Sequence, residues 1–399
     1  MVLAGHESLG GARMSTTTLT PVASSPMKGA TDHRGSWIPS GAMIATRLME
    51  LRKRRGLMIA LIVVTIGLPS IFLLVRLGMH AFDPKSYGPA GGYDIFTQMV
   101  TVILYIFGFI VAATLGCTAG SIDLSEGMFR HMVVTGRSRL AIYLARIPAG
   151  LAIIVSMVAV GFTIVCVVCV LAAPKTISYE GVNLPAGMTL TSFESYSASH
   201  LNVAICDLPY NGNLNVNVPC AYHRNTFGGV IGQGKNEPPG ATIPSHAVLQ
   251  ADARKIARAD FSGYKLEFLS PSVGLMVKSG LWIELEAVVG FIVGLGLGSL
   301  LGGRTVSVIM MLVYEVILTP LFSKAHIPHL INVQRGLVGL ATAHLEPGAL
   351  PPVFGGNGPP GQNASGLIPE TTTVAVIVVV AWLVGWTALG AWRMMTRDA

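Results

Sequence analysis

Six apolar runs, at residues 57–77, 94–117, 147–173, 281–301, 305–322 and 372–392, constrain this chain more than anything else in it. Each has at least the roughly 17 residues that a helix needs to cross a bilayer's hydrocarbon core. Backbone groups in lipid must find their partners within the segment, so six helices are expected rather than strands. Composition agrees: 51% of residues are apolar and only 12% charged, against about 25% charged in a soluble domain. The expected fold is an all-α integral membrane protein with six transmembrane helices.

The net charge of +7 does not point to nucleic acid. Arg and Lys sit mostly just outside the apolar runs, where the positive-inside rule puts them, and no basic stripe with interleaved aromatics accompanies them. Six crossings with both termini cytoplasmic place every Arg-rich loop on one side. Residues 1–40, rich in Ser, Thr, Gly, Ala and Pro, read as a disordered cytoplasmic tail. Residues 41–56 differ. Ile44, Leu48 and Leu51 fall on one helical face and Arg47, Glu50 and Arg54 on another. A short interfacial helix is expected there, with Arg52, Lys53, Arg54 and Arg55 at anionic membrane lipid. Within the first run, Pro69 is expected to kink the helix.

The outside carries a large insert, residues 174–280. Its Thr/Ser/Tyr/Asn/Pro-rich beginning suggests short strands and turns, and residues 246–260 have helical spacing, so mixed structure is expected. Cys206 and Cys220 lie in it, either as two free thiols or as a disulfide. The bond would close a loop worth roughly 3 kcal/mol in the chain-entropy model. A second outside segment, 323–371, contains a possible short helix at 331–345.

Chemistry is sparse. The run from Gly229 to Asn236 approaches a phosphate-binding loop, but Asn236 stands where the Mg²⁺-binding hydroxyl is needed. No metal-ligand spacing and no Ser/His/Asp arrangement is legible, so the chain is not expected to be an enzyme or to bind a cofactor or metal by itself. Glu284, Glu286 and Glu315 are acidic residues in or near apolar runs, where a carboxylate usually faces protein or a water-filled cavity. Glu284 and Glu286 read as near the outer end of their span. Glu315 lies deeper. It either lines a pathway, through cargo contact or proton coupling, or bonds a neighbouring helix.

The polar, basic stretch 120–146 lies between the second and third runs. Ser121 or Asp123 would cap a helix carrying Leu124, Met128 and Phe129 on one side and charges on the others. Phe129 and Met128 suit a partner's groove and the charges its rim; a helix lying flat on the membrane is the alternative.

This stretch resembles the cytoplasmic loop of type-2 ABC exporter permeases, through Asp123, Glu126, Gly127, Met128, Phe129, Arg130, Thr135, Arg137, Arg139 and Arg146. Glu50 to Arg55 is similar to that family's connecting helix, and Gly294 to Arg304 to its small-residue-rich fourth span and tight turn. The family usually places its larger outside segment between the fifth and sixth spans, whereas here it follows the third. The resemblance implies the permease subunit of an ATP-driven exporter in a bacterial plasma membrane, carrying a hydrophobic or amphipathic substrate. It implies a second permease subunit, identical or related. It also implies a separate cytoplasmic ABC ATPase, holding ATP and Mg²⁺, docked on a coupling helix at Asp123–Thr135 within the loop 118–146. Phe129 and Arg130 would transmit force, and the first, second and fifth spans would line the route. A different reading is a non-transporting membrane sensor or assembly protein whose insert binds a ligand or partner.

Overall fold

The computed structural model describes residues 37–83, 87, 90–125, 138–174, 176–179, 182–185, 187–199, 247, 250–251, 253–255, 257–258, 261, 270–324, 329–351, 353 and 370–396. Within them are six helices long and apolar enough to cross a membrane: Arg55–Phe82, Tyr93–Ile122, Arg139–Leu171, Val273–Leu301, Arg304–Ser323 and Thr372–Thr396. We number these spans one to six. The chain is a multi-pass membrane protein by length and composition of its helices. One end of the bundle carries Arg54, Arg55, Arg139, Arg146, Arg304 and Arg393 and is called the basic end; the other is the far end.

The second and fourth spans form the centre. About three quarters of each is buried (72% and 78%), against 22–33% for the other four. They meet along a seam of small residues. A Cβ on Gly116 would lie 2.1 Å from the Phe291 carbonyl oxygen, one on Gly294 2.6 Å from that of Ala113, and one on Gly298 2.5 Å from that of Cys117. Backbones approach this closely only where no side chain intervenes, which is how helices pack when lipid is as apolar as their own side chains. The outer spans turn Ile59, Leu74, Ile309, Ile317, Ile377 and Val384 outward, as a lipid-facing surface requires.

At the basic end the seam is tied across three spans. The Gly120 carbonyl accepts from Arg146 Nη1 at 3.2 Å and lies 3.4 Å from Ser299 Oγ. Arg139 Nη1 donates to the Met395 carbonyl in the last turn of the sixth span at 3.2 Å. Gly302, at φ 69°, closes the fourth span in the left-handed conformation that glycine tolerates, and the fifth begins two residues later.

Three spans are interrupted by π-helical turns: Val63–Gly67 in the first, Met99–Leu104 in the second and Val313–Leu318 in the fifth. The first of these ends two residues before Pro69. Proline has no N–H for the carbonyl four residues back, at Thr65, and that carbonyl lies within the wider turn. Gly161 of the third span packs onto that Thr65 carbonyl.

Several expectations need correction. The helix of the second span runs on through Ser125 and the third span opens at Arg139 rather than 147, so residues 118–125 and 139–146 of the expected loop are helical, broken only by a turn at Ala145. Ser121 caps nothing; its hydroxyl donates to the Cys117 carbonyl at 2.8 Å inside the continuing helix, and Asp123 also lies inside that helix. The fourth span starts at Val273 rather than 281, because Ser272 caps it by accepting from Leu275 N at 3.2 Å. The helix expected before the first span forms at Gly41–Lys53, capped by Ser40. However, Arg47 does not face outward with its charged neighbours. It is buried beside Leu51 and paired to Glu50 at 2.6 Å.

Of the insert, Thr176–Tyr179 pairs antiparallel with Val182–Pro185, with Thr176 opposite Pro185. Helix Leu190–Ser199 follows. The Arg258 Nε–Glu194 Oε1 pair at 2.7 Å and the Phe193–Phe261 ring contact join this helix to the insert's later, helical part. Within the described residues of the insert, short strands thus come first and helical residues later.

Candidate functional site

Between the fifth and sixth spans the chain does not stay outside the bundle. It forms two short helices, Ile331–Arg335 and Val338–His344, rather than one helix over 331–345. All of Val338–Ala343 is buried. Polar backbone taken into such a place must be partnered, and each neighbouring span supplies a side chain. Tyr314 of the fifth span accepts from Val338 N at 3.3 Å, at the helix start where amides are orphaned. Trp382 of the sixth donates to the Gly336 carbonyl at 2.8 Å, and Trp282 of the fourth to that of Thr342 at 2.9 Å. Gln334 donates to the Phe322 carbonyl at 3.0 Å. Tyr93, at the start of the second span, donates to the Ala349 carbonyl just beyond the second helix.

Beneath this pair of helices lies a cluster of carboxyls. Glu286 of the fourth span is 1% exposed and Glu315 of the fifth 6% exposed. Tyr105 of the second span stacks flat on Trp282, with centroids 5.0 Å apart, and its hydroxyl points at Glu315 Oε1 at 3.4 Å. The Thr319 hydroxyl reaches Glu315 Oε2 at 3.2 Å. Gly339 of the second short helix lies directly on the same carboxylate. Glu286 faces Tyr105, Thr342 and Glu315, yet no hydrogen bond of ordinary geometry reaches either of its oxygens among the described residues. The expectation that Glu286 sits near the outer end of its span is therefore wrong: with the helix starting at Val273, Glu286 falls near its middle. Glu284 has both oxygens buried and without hydrogen-bond partner as well.

Toward the far end the acidic character continues. Glu346 follows the second short helix, and its Oε2 accepts from Val353 N at 3.2 Å. Burial pushes its carboxyl up to about 8, against the pull of that single hydrogen bond. Tyr105 lies within electrostatic reach of Glu286, Glu315 and Glu346 alike. Glu370, just before the sixth span, has a buried side chain 3.6 Å from His344 Nδ1. Burial raises its carboxyl too, opposed by His344 and Arg335.

Of the residues singled out from sequence, Glu315 is where the chemistry converges. Asp123 ends up in the last turn of the second span's helix. Arg139 opens the third span, half-buried against the sixth. Glu126, Met128, Phe129, Arg130, Thr135 and Arg137 lie outside the described residues, as do Cys206 and Cys220. Glu50 is paired with Arg47, Arg52 and Lys53 are exposed in the last turn of the helix Gly41–Lys53, Arg54 ends it and Arg55 opens the first span. Sequence reasoning missed Tyr105, Thr342 and Glu346. For Glu286 the available signal was where the helix starts: a span begun at the Ser272 cap centres close to that residue. Among the described residues no group of three His, Cys, Asp or Glu is placed to hold a metal ion. Comparison of the chain with family models, with curated proteins and with solved structures finds no match in any of the three.

Proposed function

We propose that this chain is the membrane-spanning permease subunit of an ATP-driven ABC exporter, working with a second permease subunit and a separate cytoplasmic ATPase. The observation that carries the reading is where the π-helical turns fall. Among the described residues they occur in the first, second and fifth spans, the three expected to line a route. Such turns concentrate at functional sites and loosen a helix where it must move. The interfacial helix leading directly into the first span, and packed beside the third, supports the same reading. On this view the basic end is cytoplasmic, and residues 123–135 with Phe129 and Arg130 dock the ATPase. The cargo is a hydrophobic or amphipathic molecule.

The test is a gentle-detergent pull-down of the tagged protein from its native membranes. A stoichiometric P-loop ATPase, lost in the Phe129→Ala/Arg130→Ala double variant, is expected. A preparation that carries no ATPase from cells expressing one overturns the reading in favour of a sensor. The insert favours that second reading, since its helix Leu190–Ser199 is tied to the later segment through Glu194–Arg258, as a folded ligand-binding unit would be.

A further inference from the structure

We propose that Glu286 and Glu315 form a proton-binding pair inside the bundle, loaded from the far end through Glu346 and Tyr105. The argument begins with what faces Glu286. From the second span it is Tyr105, from the fifth Glu315, with Tyr314 beside it, and from the short helix Thr342; Glu346 lies within electrostatic reach of the same phenol. These groups are acidic or neutral. Two carboxylates brought together in a low-dielectric interior, with no cation against them among the described residues, repel each other and lose their hydration, so one proton must be shared between them.

Geometry favours a proton over a larger cation. Glu315 is closed over by Gly339, where even a methyl group would collide with both carboxylate oxygens. Glu315 already accepts from Tyr105 and Thr319, whereas neither buried oxygen of Glu286 has a hydrogen bond of ordinary geometry among the described residues. Glu286 is therefore the seat of the proton. The transfer balances simply. Glu346 gives its proton to the phenolic oxygen of Tyr105, and the phenol O–H breaks as its proton passes to a Glu286 oxygen. Glu346 is left anionic until it takes up a proton from the far aqueous side. Its carboxyl, held near 8, is suited to exchange at neutral pH.

The proposal is independent of the ATPase. The full chain in lipid nanodiscs, alone, is treated with dicyclohexylcarbodiimide, which modifies protonated carboxyls in apolar surroundings, and the adduct is located by mass spectrometry. Modification of Glu286 is expected, falling about tenfold as the pH is raised by two to three units. In parallel, infrared spectra of the untreated protein should show a protonated-carboxyl carbonyl band that Glu286→Gln removes. Absence of that band from the wild type at neutral pH overturns the pair whatever the reagent reaches. With the pair established, Glu346→Gln should slow hydrogen–deuterium exchange of the band about tenfold, and unchanged exchange overturns the far-end route. A failed ATPase pull-down leaves all three results standing, so the two proposals fail separately.

Discussion

Gly339 and Glu315 are locked together: a Cβ on residue 339 would lie 2.8 Å from Glu315 Oε2 and 2.9 Å from Oε1. The short helix Val338–His344 and the fifth span are thus registered on a glycine and a carboxylate. Gly339→Ala should cost about 1–3 kcal/mol, since overpacking here must move a buried carboxyl already held by Tyr105 and Thr319. Thermal unfolding of the detergent-solubilised protein measures it. Gly348→Ala, with nothing within 4 Å of the added carbon, should shift stability by less than about 0.5 kcal/mol.

The seam between the second and fourth spans should be less forgiving. At Gly116 the obstacle is backbone, the Phe291 carbonyl, and backbone cannot rotate away. Gly116→Ala should lose at least the ~1–3 kcal/mol typical of overpacking and reduce the yield of monodisperse protein in size-exclusion chromatography. Gly108→Ala lies on the same span in open space and should behave as wild type.

Arg146 is 2% exposed and reaches from the third span to the Gly120 carbonyl of the second. Hydrogen bonds from charged donors contribute roughly 1.5–3 kcal/mol. Arg146→Met keeps the length of the side chain and removes the donor. A loss in that range is expected in thermal unfolding. Ser299→Ala, which removes the longer 3.4 Å contact to the same oxygen and a 2.8 Å bond to the Leu295 carbonyl within its own helix, should cost less, since neither involves a charged donor.

Glu346 predicts a pH dependence with a definite sign. Its folded carboxyl titrates near 8, whereas an unfolded glutamate titrates near ~4.3. Between those values the folded state holds a proton that the unfolded state does not. Its contribution to stability is therefore complete below the unfolded value and declines as pH rises through the window to the folded one. The melting temperature should fall as pH is raised from about 5 to about 8, and Glu346→Gln should flatten that slope. A melting temperature that rises over this range in the wild type, with the slope unchanged in Glu346→Gln, contradicts the assignment.

The six crossings were legible because lipid enforces length and apolarity, and those are written in composition. Helix ends were not. Residues 273–280 include Lys278, Ser279 and Gly280 and look like loop, yet Ser272 caps a helix there and Ser279 is buried. That eight-residue difference moved Glu286 from the rim to the middle. Gly120–Ser125 misled in the opposite way: a polar sequence continued a helix because Gly120 packs on Leu295 and Ser299 of the fourth span. The buried short helices were half legible. Helical spacing showed in residues 331–345, but their depth depends on Trp282, Tyr314 and Trp382 answering particular carbonyls and amides. Pairings between residues 24 to 60 positions apart leave no local pattern to read.

The π-helical turn at Val313–Leu318 has an evolutionary side. A turn of this kind is equivalent to one residue inserted into an α-helix. Each residue turns an α-helix by about 100°, so everything after the insertion faces a new direction without lengthening the loops. Glu315 lies within the turn and Thr319 just past it. A deletion of one residue between Val316 and Leu318 would restore a regular helix and swing Thr319 away from the carboxylate it now meets. Three such marks, in the first, second and fifth spans, mean that homologous chains of this architecture are best aligned with single-residue gaps inside their membrane helices. An alignment that forbids gaps there would set the wrong residue against Glu315.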